Sequence, residues 1–168
     1  MTESSAQPVE ASGEERAAQA LAASGIGHVI VRHGRVSSLA EAAAARGVEP
    51  GALIKTIVVR RGEGDYLFVL VPGGRAISWP KLRALLGVNR LSMPDAATAK
   101  DVTGYERGTI TPFGSLRAWP VVADERVLGQ EVSIGAGGHG VGATVDGNAL
   151  VAALDAQVAD VTDPEPTG

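Results

Sequence analysis

Leu53-Ile-Lys-Thr-Ile-Val-Val-Arg-Arg61, Gly62-Glu-Gly-Asp65 and Tyr66-Leu-Phe-Val-Leu-Val71 decide the fold class of this chain. The outer segments are rich in β-branched and aromatic residues, and the four residues between them are turn formers. Together they predict a β-hairpin, closed by Pro72-Gly73-Gly74. Upstream, Glu14–Ala23 reads as a helix ending near Gly25, and His28–His33 as a strand. Ser38-Leu-Ala-Glu41 has the form of a capping box and opens an alanine-rich helix to Arg46, with Gly47 as its stop. Downstream, Ser78 caps a short helix through Leu86, with Pro80 in its first turn. A further short helix follows Met93-Pro94-Asp95 and ends near Gly104. Residues 104–116 lack a helical period and read as a loop. Trp119–Ala123, Glu131–Ile134 and Val141–Val145 read as strands, and Asp146-Gly-Asn-Ala opens a last helix through Leu154. Helices are interspersed with hairpins rather than regular crossovers, which predicts an α+β domain with a mixed sheet.

The 168 residues suit one domain. Residues 1–13 and 159–168 are polar, small and Pro-containing and read as disordered tails, leaving 14–158 as the folded unit. The absence of cysteine excludes disulfides, a thiolate nucleophile and cysteine-ligated metals. No apolar run approaches the ~18 residues of a membrane span, and the acidic start is unlike a secretory signal, so the expected address is the cytoplasm, with no membrane partner. The net charge of -4 hides an asymmetry, because residues 32–117 hold thirteen Lys/Arg against seven acids. That basic middle could face a polyanion, or its arginines could be scattered and solvated.

Several patterns for site chemistry can be weighed. Gly135-Ala-Gly-Gly-His-Gly140 matches G-x-G-x-x-G, but a strand-like segment follows where a dinucleotide site needs a helix. What remains is either a backbone approaching a ligand closely or an irregular hairpin. His28, His33 and His139 lack metal-ligand spacing, so no metal site and no cofactor is expected. There is no G-x-S-x-G elbow. Lys55 sits in an apolar strand row with Leu53, Ile57 and Val59. It is either a lysine snorkelling at a strand end or a cation at a pocket rim. The loop Gly104-Tyr-Glu-Arg-Gly108-Thr-Ile-Thr-Pro112-Phe-Gly114 could present backbone N–H groups to an oxyanion, or be a surface loop packed by Tyr105 and Phe113.

Taken together, the Lys55-Thr strand, the Gly104–Gly114 loop and Ile134-Gly-Ala-Gly-Gly-His-Gly140 resemble the YbaK/prolyl-tRNA-synthetase-associated (INS-like) aminoacyl-tRNA editing domain family. The likeness covers roughly residues 14 to 156, including the last Asp-Gly-Asn-Ala-Leu helix. It implies a mixed, partly barrel-like sheet with helices packed outside. It also implies a freestanding aminoacyl-tRNA deacylase, a carboxylic ester hydrolase that removes a small wrong amino acid (Ala, Cys, Ser or Thr), most notably from tRNA-Pro. Mischarged tRNA would be the partner, with prolyl-tRNA synthetase as a possible second. The catalytic positions carried over are Lys55, Gly108, Thr111 and Pro112. Those implied to bind substrate are His33, Gly104, Phe113, Gly114, Gly135, Ala136, Gly137 and His139. The resemblance further implies attack assisted by the terminal ribose hydroxyl of the tRNA, with backbone N–H groups on the oxyanion. Arg60, Arg61, Arg75 and Arg107 are candidates for gripping tRNA phosphates, and Phe113 for stacking on the terminal adenine. Where some bacterial members have an acid shortly after the glycine-rich wall, this chain has Gly142; where a serine often begins that wall, it has Gly135. Two alternatives are a non-catalytic tRNA-end or synthetase-binding module and a small phosphate- or nucleotide-binding protein.

Overall fold

The computed structural model describes residues 12–166. In chain order the elements are α1 (Gly13–Ser24), β1 (His28–Arg32), α2 (Leu39–Arg46), β2 (Ile54–Gly62), β3 (Asp65–Pro72), β4 (Arg75–Ile77), α3 (Trp79–Leu86) and α4 (Ala96–Thr103). They continue with β5 (Val121–Asp124), β6 (Glu131–Gly135), β7 (Val141–Asp146), α5 (Gly147–Ala153), β8 (Gln157–Ala159) and β9 (Thr162–Pro164). The helix ends follow local chemistry. Ser12, Ser38, Ser78, Asp95 and Asp146 each accept a backbone N–H at a helix start, and Gly25, Gly47, Gly87 and Gly104 close α1 to α4 in the left-handed conformation.

The central sheet has the order β2-β3-β5-β8, with β2–β3 antiparallel and β3–β5 and β5–β8 parallel. This is the mixed sheet expected from sequence. A second, antiparallel sheet has the order β1-β7-β6, and β4 pairs with β9 in a small ribbon. The first two sheets meet at one parallel bridge, Leu53 to Ser133. They form an open corner, and among the described residues no barrel closes.

β3 explains why the core has two halves. Tyr66, Phe68 and Leu70 face one apolar cluster, shared with Val132, Ile134, Val141, Ala143 and Val145 of the second sheet. Leu67, Val69 and Val71 face another, closed by Leu82 of α3 and by Val161. A strand covered on both faces needs the continuous apolar run that this sequence has, rather than alternation. β2 lies at the sheet edge, so between its two end bridges its outer backbone is unpaired by strand neighbours.

The C-terminal stretch corrects one expectation. Residues 159–168 were expected to be a disordered tail, yet Ala159 ends β8 and Thr162–Pro164 form β9. The reason is long-range: Asp160, Thr162 and Asp163 are held by Lys81, Arg126, Asp124 and Arg75. At the other end, Ser12 and Gly13 already belong to the start of α1, and the rest of the expected N-terminal tail lies outside the described residues. Among the described residues no helix is long and apolar enough to cross a membrane.

Candidate active site

A cavity of about 650 Å³ opens along the free edge of β2. Leu53 to Val58 form one wall, Met93 to Ala96 with Ala99 a second, and Arg107, Gly108 and Ile110 of the loop a third. Gly135 and Arg46 close it. The structure therefore brings Lys55, Gly108 and Gly135 together around one hollow, although 80 positions separate the first from the last.

The loop is held rigidly from beneath. The Tyr105 side chain is buried, its hydroxyl donates to the Phe113 carbonyl at 2.7 Å, and Arg16 of α1 donates to the Gly104 and Gly114 carbonyls at 2.7 and 3.2 Å. Burial raises the Tyr105 pKa, opposed by the neighbouring Arg16 cation, so the phenol stays a donor. Thr111 is fully buried and its hydroxyl accepts from the Phe113 N–H at 3.3 Å, which shapes the turn. Phe113 is 5% exposed and belongs to the core, so it has no free face for stacking on a base. Gly108 has φ +89°, a conformation that a side chain would strain, and a Cβ there would touch the His139 ring at 3.7 Å.

Other carried-over positions support the wall rather than line it. Gly137 donates to the Thr109 carbonyl at 3.2 Å, tying the glycine-rich turn to the loop. Ala136 is buried in the core. Gly104, Gly114 and Pro112 shape the loop outside the cavity lining. His139 is exposed, 3.7 Å from Glu106 and beside Gly108. His33 contacts the site through another residue. Its Nε2 accepts from Arg46 Nε at 3.2 Å while its Nδ1 faces the Gly34 carbonyl at 2.8 Å, which fixes the tautomer with the proton on Nδ1.

Lys55 shares a face of β2 with Ile57 and Val59 and reaches the rim. Its Nζ rests 3.4 Å from the Arg75 carbonyl and 3.6 Å from Glu165. Both partners of that ion pair are about half exposed, so the contact is weak and the four-carbon stem can leave it. Of the arginines considered for tRNA phosphates, Arg107 lines the cavity and Arg75 is committed to Thr162. Arg60 and Arg61 line a second hollow with Arg83 and Arg90, further along the same edge.

Sequence reading passed over two residues of the cavity. Thr56 follows Lys55 and points to the opposite face; its hydroxyl is buried and has no hydrogen-bond partner among the described residues. Arg46 ends α2, where a basic residue ordinarily complements the helix dipole. Instead its guanidinium lies across Gly142. A Cβ at position 142 would stand 2.8 Å from its Cζ, Nε and Nη1. Burial pulls the Arg46 pKa down. The signal for this pairing was Gly142 itself, a bare position in the middle of a strand.

The aminoacyl-tRNA editing domain family matches residues 33–153, and the chain belongs to that family. Over 120 residues it is 25% identical to EbsC of Enterococcus faecalis, named as a candidate Cys-tRNA(Pro)/Cys-tRNA(Cys) deacylase; the match spans 71% of this chain and 73% of that one. It is 35% identical over 82 residues to the proline–tRNA ligase of Desulforamulus reducens, covering 49% of this chain and 14% of the ligase. A crystal structure of a candidate trans-editing enzyme for prolyl-tRNA synthetase superposes with a TM-score of 0.82 at 27% identity, over 92% of this chain and 99% of the other.

Proposed function

We propose that this chain is an aminoacyl-tRNA deacylase of the cytoplasm that acts in trans on mischarged tRNA, with tRNA-Pro bearing Ala, Cys, Ser or Thr as the substrate class. The observation that carries the reading is the single cavity lined at once by Lys55, Gly108 and Gly135 in a member of the editing family. An aminoacyl ester is already activated, so a site that holds it in line with a nucleophile supplies much of the acceleration without a triad. In the proposed reaction a water oxygen, oriented by the terminal ribose hydroxyl, bonds to the ester carbonyl carbon. The carbonyl electrons move onto oxygen, and loop N–H groups around Gly108 stabilise that oxyanion. When the carbonyl re-forms, the bond to the ribose oxygen breaks and that oxygen takes up a proton. Lys55 swings from Glu165 to the phosphate or ester at the rim. Beyond the rim, Arg60, Arg83 and Arg90 offer a track for the phosphates of the acceptor end.

The largely aliphatic wall of the cavity suits a small acyl group and its volume leaves room for the terminal nucleoside beside it, with the breadth expected where apolar size alone discriminates by about 10–200-fold. The test is a panel of tRNA-Pro charged with Pro, Ala, Cys, Ser or Thr, assayed for release of the amino acid. Faster release of at least one small non-cognate residue than of Pro is expected. No release above the buffer rate from any of them would refute the reading.

A further inference from the structure

Arg46 is one of three cations in the cavity wall, with Lys55 and Arg107, and it is the one held there by neutral acceptors. Its Nε donates to His33, and its Nη1 to the Ser133 hydroxyl and the Ile134 carbonyl at 3.4 and 3.5 Å. All three acceptors are neutral. Among the described residues no carboxylate lies within 4 Å of the guanidinium, and Nη2 makes no hydrogen bond. A half-buried guanidinium without a counter-charge is costly unless something completes its donor set. Thr56 also lines the cavity, but its hydroxyl is buried away from the open space, so the guanidinium is the unfilled donor that an acyl group can reach.

The placement depends on Gly142. Position 142 lies in the central strand of the β1-β7-β6 sheet, where any side chain on that face would occupy the volume now filled by the guanidinium. The colliding atoms belong to the far end of a flexible side chain rather than to backbone. A methyl at 142 would therefore push Arg46 aside without breaking the sheet.

We infer that Arg46, seated over Gly142, determines acyl specificity, selecting aminoacyl groups whose side chain ends in a hydrogen-bond acceptor over apolar ones of the same size. The inference rests on the deacylase reading of this cavity and narrows it. A hydroxyl or carboxylate on the acyl side chain would take the free Nη2 donors, while an alanyl or cysteinyl group would leave them unpaired. A site built around such a donor discriminates more sharply than one that measures size alone.

The experiment compares kcat/KM for tRNA-Pro carrying Ser, Thr, Asp, Ala or Cys in the parent protein, Arg46→Met, Arg46→Lys and Gly142→Ala. The parent should favour acceptor-bearing groups over Ala and Cys by about tenfold or more. Ser and Thr ranked first would identify a hydroxyl as the ligand, and Asp ranked first a carboxylate. Arg46→Met should bring the ratio to within about threefold, with Arg46→Lys keeping part of it. Gly142→Ala should act like Arg46→Met although Arg46 is intact, and it serves as the test if Arg46→Met fails to fold. An equal loss on every acyl group, or a parent without preference, overturns the inference while leaving the deacylase reading standing. If no ester is hydrolysed at all, that reading falls instead. Binding of the non-hydrolysable seryl and alanyl amides of 3′-amino-adenosine then decides the inference, equal affinity counting against it.

Discussion

The α3 side of the molecule and the free edge of β2 use similar residues in opposite ways. On the α3 side, Asp124 is fully buried and accepts from the Arg126 and Val161 N–H groups, the Thr162 hydroxyl and the Arg126 guanidinium. Lys81 donates to Asp160, Asp163 and the Thr162 carbonyl, and Arg126 also reaches Asp160. Each of these charges has a partner of the other sign. At the β2 edge, Arg46 and Thr56 keep donors that the chain leaves unused, and Lys55 holds only a weak exposed pair. Saturated polar clusters rigidify a fold, while a cation on a cavity wall without a protein counter-charge is free to bond water or a ligand.

The sharpest way to test this contrast is Asp124→Ala. It leaves two backbone N–H groups and a hydroxyl without their acceptor, and takes from the Arg126 guanidinium one of its two carboxylates. A loss of about 3–5 kcal/mol of unfolding free energy is expected in urea titrations, with deacylation per folded molecule retained. A small stability change would mean that water replaces the carboxylate and that the cluster holds little together.

Lys55→Ala should do the reverse. In the proposed mechanism Lys55 stabilises charge at the rim, so its loss is expected to lower kcat/KM roughly a hundredfold or more, while stability stays within about 0.5 kcal/mol of the parent. Near-parental deacylation on every mischarged tRNA would remove Lys55 from the mechanism and leave Arg46 and the loop as the functional groups of the edge.

Much of this was legible in the sequence because it is local. Ser38, Ser78, Asp95 and Asp146 stand at the starts of α2, α3, α4 and α5, and the apolar run of β3 declares a strand buried on both faces. What escaped was fixed by partners far along the chain. β4 and β9 are three residues each, too short for any periodicity, and β9 exists because Lys81 and Arg75 reach it from some 80 positions away. In isolation Asp-Val-Thr-Asp-Pro-Glu-Pro reads as a tail. The active-site loop was visible as a loop, but whether Thr111 and Phe113 faced substrate or core depended on Tyr105 and Arg16 beneath it. Arg46 looked like an ordinary helix end, since nothing near it in sequence announces Gly142.

The weakest effect expected is a pH dependence confined to the saturated cluster. Hydrogen bonds from Arg126 and Lys81 lower the Asp160 pKa from 3.8 to about 2. A carboxylate whose folded pKa lies below its unfolded value contributes stability that is complete above the unfolded value and lost as pH falls toward the folded one. Asp160→Asn should therefore be less stable than the parent at neutral pH, and the gap should close as pH falls from 3.8 to about 2. Because Asp160 is partly solvated, the gap should also shrink in high salt. Deacylation at neutral pH should change little, since Asp160 touches no residue of the cavity lining and the one link between the regions is Arg75, which bonds Thr162 and offers its carbonyl to Lys55. Thermal melts of both proteins across the acid range, with and without salt, read all of this; a gap independent of pH would show that Asp160 acts through packing rather than charge, and would blur the line between the two regions.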